Sequence, residues 1–114
     1  MPVLGLGTWQ LTGDECTNSV IMALELGYRH IDTAEGYGNH EQVRAGIEKS
    51  GVKREELFIT SKVSHSNLRR ADVLAACDKA LKELRTDYLD LYLVHWPNSS
   101  IPMEETLGAM SELV

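Results

Sequence analysis

The chain has 114 residues, 43% of them hydrophobic, and a formal net charge of -6. That length suits one domain, residues 1–114, with a real apolar core, and the scattered Lys and Arg exclude the clustered basic surface that nucleic acid or an anionic membrane requires. No apolar run approaches the roughly 18 residues that span a bilayer, and no basic segment precedes an apolar one at the N-terminus, so a soluble, cytoplasmic protein is expected.

Short β-rich runs alternate with amphipathic helical segments, which predicts an α/β fold of four βα units. The first strand is expected over Val3 to Thr8. "WQLTG" leads from it to a helix opened by a capping box, Thr12 with Glu15, striped by Val20, Ala23 and Leu24, and ended by Gly27. A second strand, Tyr28 to Asp32, precedes a helix that begins near Asn39, presents Val43, Gly46 and Ile47 on one face and stops at Gly51. The third strand runs from Leu57 to Lys62, before a longer helix with Val73, Leu74, Cys77, Leu81 and Leu84 at helical spacing. The most apolar strand, Tyr88 to His95, halts at Pro97. Pro102 and the acidic pair Glu104 and Glu105 then start a fourth helix carrying Leu107, Met110 and Val114. The two cysteines, Cys16 and Cys77, sit among apolar neighbours in helical patterns and read as reduced core thiols.

Strands joined by helices of this length pair in parallel with right-handed crossovers, either in sequence order or in an open doubly wound sheet. Both arrangements gather functional groups at the carboxyl ends of the strands. The last residues expected of the three later strands are Asp32, Lys62 and His95, and Tyr37 lies in the loop after the first of them. Singly, each has a plain structural explanation: a cap acceptor, a solvated cation, a structural histidine, a packed phenol. Together they describe acid catalysis near neutral pH. A phenol is matched to a developing alkoxide, a neighbouring cation such as Lys62 assists it, Asp32 orients the lysine, and His95 hydrogen-bonds a carbonyl oxygen. Such a site reduces a carbonyl when a hydride donor lies over it.

Four segments carry a family resemblance: "GLGTW" at Gly5 to Trp9, "HIDTAEGYGN" at His30 to Asn39, "ITSKV" at Ile59 to Val63 and "LDLYLVHWP" at Leu89 to Pro97. In order and spacing the chain resembles the aldo-keto reductases, (β/α)8 barrels that use NADPH. The resemblance implies a tetrad of Asp32, Tyr37, Lys62 and His95, a nicotinamide and substrate pocket lined by Thr8, Trp9 and Trp96, and Asp32 near the cofactor ribose. It also implies a small aldehyde or ketone substrate, with NADPH as cofactor and NADH as the alternative.

A (β/α)8 barrel takes about 250 residues, so four βα units correspond to its N-terminal half. The expectation is a truncated piece of a reductase, complete in its tetrad but lacking the later loops that hold the cofactor, with open sheet edges that favour self-association. Two other readings stand beside it: an inactive chain acting as an assembly or binding module, and a metal-dependent barrel hydrolase built on the H-x-D pair His30 and Asp32 with His95. "GLGTW" as a dinucleotide fingerprint is weak, because Gln10 stands where a third glycine is needed. His40, His65 and Glu35 are expected to face solvent.

Overall fold

A computed structural model describes residues 1–114. The elements run β1 (Leu6–Gly7), α1 (Gly13–Glu25), β2 (His30–Asp32), a 3-10 turn (Glu35–Tyr37), α2 (His40–Ser50), a second 3-10 turn (Arg54–Glu56), β3 (Phe58–Val63), α3 (Arg70–Leu84), β4 (Leu91–Val94) and α4 (Met103–Leu113). All four strands are parallel and lie in the order β1-β2-β3-β4, so the sheet follows the sequence and is not doubly wound. It is the fold expected of half a (β/α)8 barrel.

The core lies where α1 and α2 cover the sheet, and it joins Cys16, Val20, Leu24, Ile31, Val43, Leu57, Ile59 and Leu84. Each buried aliphatic side chain there contributes about 1.5–3 kcal/mol relative to exposure. The helices approach closely at Gly46, where an added Cβ would stand 2.6 Å from Val20 Cβ and 2.9 Å from the Thr17 carbonyl oxygen. Only glycine fits that crossing. Both cysteines are free and buried, Cys16 in α1 and Cys77 in α3, and burial pushes their thiols above the ordinary range.

Several local expectations differ from the fold. β1 is two residues long because Val3 and Leu4 project into solvent, 103% and 66% exposed, and the strand has a neighbour on one side only. β4 begins at Leu91, not Tyr88, since Asp90 turns its carboxylate onto the Ile59 N–H at 2.8 Å. Although it is the most apolar strand, β4 lies at the other edge, so Leu91, Tyr92 and Val94 are only half-buried. Thr12 makes no side-chain cap bond, so the expected capping box is not formed. In α3 the buried stripe runs through Ala76 and Ala80, which leaves Leu74 and Leu81 half-buried. Glu105 serves a neighbouring helix: it accepts the Arg70 N–H at 2.9 Å and so caps the start of α3.

Candidate active site

β2 and β3 bring the first two charged groups together. Asp32 closes β2 opposite Thr60, and Lys62, two residues farther along β3, points back across the strand ends. The Lys62 ammonium donates to Asp32 Oδ1 and, at 3.0 Å, to the Thr33 carbonyl oxygen. Its side chain is 14% exposed while that of Asp32 is 39% exposed. A pair with one partner so open adds little stability but holds the ammonium in one place. Asp32 Oδ2 accepts no hydrogen bond from the chain.

The ammonium's third neighbour is the Tyr37 hydroxyl, 3.5 Å away. Tyr37 ends the 3-10 turn between β2 and α2, which returns its phenol over the strand ends. His95 follows β4 directly, its backbone N–H still bonded to the Val63 carbonyl at 3.1 Å. Its ring meets the phenol edge-on, with centroids 5.5 Å apart and planes at 82°. Trp96 stacks beyond it at 6.0 Å. A cavity of about 450 Å³ opens here, lined by Trp9, Gly36, Tyr37, Ser64, His65, His95 and Trp96. Two indoles, a phenol and two imidazoles are among its lining groups.

Asp32, Tyr37, Lys62, His95, Trp9 and Trp96 are thus brought to one end of the sheet. Thr8 is beside them but fully buried, and it binds the Asp32 carbonyl oxygen through its N–H at 3.0 Å and its hydroxyl at 3.3 Å. It presents no side-chain surface to the cavity. His30, the other half of the H-x-D pair, spends its ring on the Pro2 carbonyl oxygen at 3.2 Å and Thr60 Oγ1 at 2.9 Å.

Four residues differ from their sequence reading or escaped it. His65, expected only at the surface, lines the cavity. His40 is 4% exposed, placed between Ser61 Oγ at 2.9 Å and Glu83 Oε1 at 3.3 Å. Burial lowers its pKa, and the Glu83 carboxylate opposes that shift only in part, being itself partly solvated. Glu35 accepts the Ser64 N–H at 2.8 Å and also the Asn67 amide, so it is no free surface charge. Asn39 does not cap α2 through its side chain; its amide spans to the Thr8 and Leu11 carbonyls at 2.9 and 3.0 Å while its oxygen accepts from Thr33. The "N-H" pair at the start of a helix looks like an ordinary cap. Only packing against β1 and β3 reveals the ties.

The family model described as the aldo/keto reductase family matches residues 3–114. The chain is 49% identical to the glyoxal reductase of Bacillus subtilis, over 99% of this chain and 41% of that protein. It is 46% identical to methylglyoxal reductase DkgB of Escherichia coli, over 98% of this chain and 43% of that one. Among solved structures, a Bombyx mori aldo-keto reductase in complex with NADP superposes with a TM-score of 0.89 at 38% identity, over 98% of this chain and 42% of that one. A crystal structure described as a putative 2,5-diketo-D-gluconic acid reductase B gives a TM-score of 0.96 at 45% identity, over 99% and 40%. The chain therefore spans about two-fifths of the length of these relatives.

Proposed function

The chain belongs to the aldo/keto reductase family, and from that premise we propose that its residues serve the NADPH-dependent reduction of small aldehydes and ketones to alcohols, with NADH as the alternative donor. The observation that carries the reading is convergence: the Tyr37 hydroxyl stands 3.5 Å from the Lys62 ammonium, and the His95 ring meets the same phenol across a 450 Å³ cavity. Tyr37 and His95 can both donate to one oxygen in that cavity, with Lys62 behind the phenol. The glyoxal and methylglyoxal named for relatives support a compact dicarbonyl as substrate.

In this reading Tyr37 is the acid. A phenol keeps its proton at neutral pH and yields it only to a strong base such as the oxygen of a carbonyl being reduced. Lys62 stabilises the negative charge left on the phenol oxygen, and Asp32 with the Thr33 carbonyl keeps the ammonium from swinging away. An N–H of His95 holds the substrate oxygen at the angle that Tyr37 requires. Trp9 and Trp96 offer apolar surface to the substrate.

The residues present suit a nicotinamide cofactor, because Asp32 offers an unused, half-exposed carboxylate oxygen to a ribose hydroxyl. Thr8, with no exposed surface, acts by fixing the Asp32 backbone. When bound, the cofactor supplies the hydride that goes to the carbonyl carbon. By the resemblance, contacts to the cofactor's amide and phosphates come from later strands of the barrel than these four.

The test follows NADPH absorbance with methylglyoxal, comparing the chain with its Tyr37→Phe variant. Turnover lost in the variant supports the acid assignment; a variant that turns over like its parent removes it. A second reading, an assembly or binding module, has its own observation. Each outer strand has an unpaired side beside an apolar groove, about 340 Å³ next to β1 and about 540 Å³ next to β4. Sedimentation at high micromolar concentration decides it: association through these edges supports the reading, and a monomer counts against it.

A further inference from the structure

Tyr37 is carried by a turn with little rigidity of its own. Gly36 precedes it, Gly38 follows with a left-handed φ of 65°, and the only hydrogen bond of the phenol hydroxyl is its 3.5 Å contact with Lys62. A proton donor nevertheless works only when held within about 0.5 Å of its productive place. Something outside the phenol must hold the turn. At its far side Asn39 does so, tied to the β1–α1 loop.

We infer that Glu35 is the second anchor, a positioning residue that locks the turn bearing Tyr37 to the loop that leaves Lys62; the inference rests on the reading of Tyr37 as the acid. The connectivity carries it. One Glu35 oxygen accepts the Ser64 N–H at 2.8 Å and the other accepts the Asn67 amide. Ser64 lies two residues after Lys62, and Tyr37 lies two residues after Glu35. The chain segments Glu35–Tyr37 and Lys62–Ser64 are therefore closed into a ring, by the carboxylate at one end and by the phenol and ammonium at the other. Opening the first contact leaves the longer, weaker second one, with Asn39 at the far side of the turn, to keep acid and cation together. The same bonds set the cavity wall, since Ser64 and His65 line it. A carboxylate that merely kept the surface soluble would not spend both its oxygens on two donors of the loop that leaves β3.

Glu35→Ala and Glu35→Gln variants of the chain test this by NMR, without turnover. Glutamine keeps an acceptor for Ser64 N–H, and Asn67 can rotate its amide to accept from the new NH2. In Glu35→Ala the Ser64 amide should exchange at least about tenfold faster, and the Tyr37 to His95 ring cross-peak should vanish. The Ile59 amide, held by Asp90 at the other end of β3, should keep its parental rate. Glu35→Gln should restore both signals. A cross-peak that survives in Glu35→Ala, or a glutamine variant as impaired as the alanine one, overturns the inference. Should Glu35→Ala lose Ile59 protection as well, Asn67→Ala decides: faster Ser64 exchange with a weakened cross-peak upholds the tie, and parental behaviour overturns it. Normal turnover in Tyr37→Phe is a separate result, which discards the acid assignment and touches none of these signals.

Discussion

The two ends of the sheet each tie neighbouring strands with a cation and an aspartate, and they use the pair in opposite ways. At the N-terminal end every nitrogen of the Arg54 guanidinium is engaged: Nε on Thr86 at 2.9 Å, Nη1 on the Leu57 carbonyl at 2.9 Å, and Nη2 on the Tyr88 carbonyl and Asp90 at 2.9 and 2.8 Å. The guanidinium also lies 4.0 Å over the Tyr88 ring, and both partners of the ion pair are only 20% exposed. At the C-terminal end Asp32 keeps one oxygen unbonded beside Lys62, and a phenol and an imidazole line a cavity. Saturated polar groups stabilise a fold; unsaturated ones at a fixed distance are free to meet a ligand.

That contrast breaks if the two ends respond alike to mutation. The largest effect is expected on turnover: Lys62→Met should lower kcat for methylglyoxal on the order of a thousandfold, about 4 kcal/mol of barrier, in the same absorbance assay. Arg54→Ala should instead lower folding stability by about 2–4 kcal/mol in urea titration, because it strands Asp90 and several carbonyls at once. Parental stability in Arg54→Ala would erase the distinction. Gly46→Ala, away from both ends, should cost about 1–3 kcal/mol by forcing α1 and α2 apart.

A smaller effect comes from pH. Burial lowers the His40 pKa in the folded chain, so below the ordinary histidine value of about 6.5 the unfolded chain binds a proton that the folded one resists. The stability is fully present above that pH and is lost as pH falls toward the lowered value, with a slope of at most about 1.4 kcal/mol per pH unit. His40→Gln should remove that component of the slope in urea titrations across this range. The smallest change is the stability of Lys62→Met, within about 1 kcal/mol of the parent, since Asp32 is already half solvated.

Much of this molecule is legible along the chain. Alternating periodicity shows four βα units, and parallel pairing sends Asp32, Lys62 and His95 to a common end whatever the sheet order. Strand lengths are less legible. β1 and β4 are edge strands with one neighbour each, so apolar character overstates how far they pair. The polar ties are hidden for a related reason. Glu35, Asn39 and His40 sit in a stretch that reads as a turn and a helix start, where carboxylates, amides and imidazoles ordinarily face water. Their partners Ser64, Thr8 and Ser61 come from other units, 21 to 31 residues away. Residue type and local spacing determine which ionisable groups end the strands and on which side of the sheet they gather, because both follow from short-range periodicity. Which groups are left open to a ligand and which are spent holding the backbone depends on contacts between units, and those exist only once the strands lie side by side.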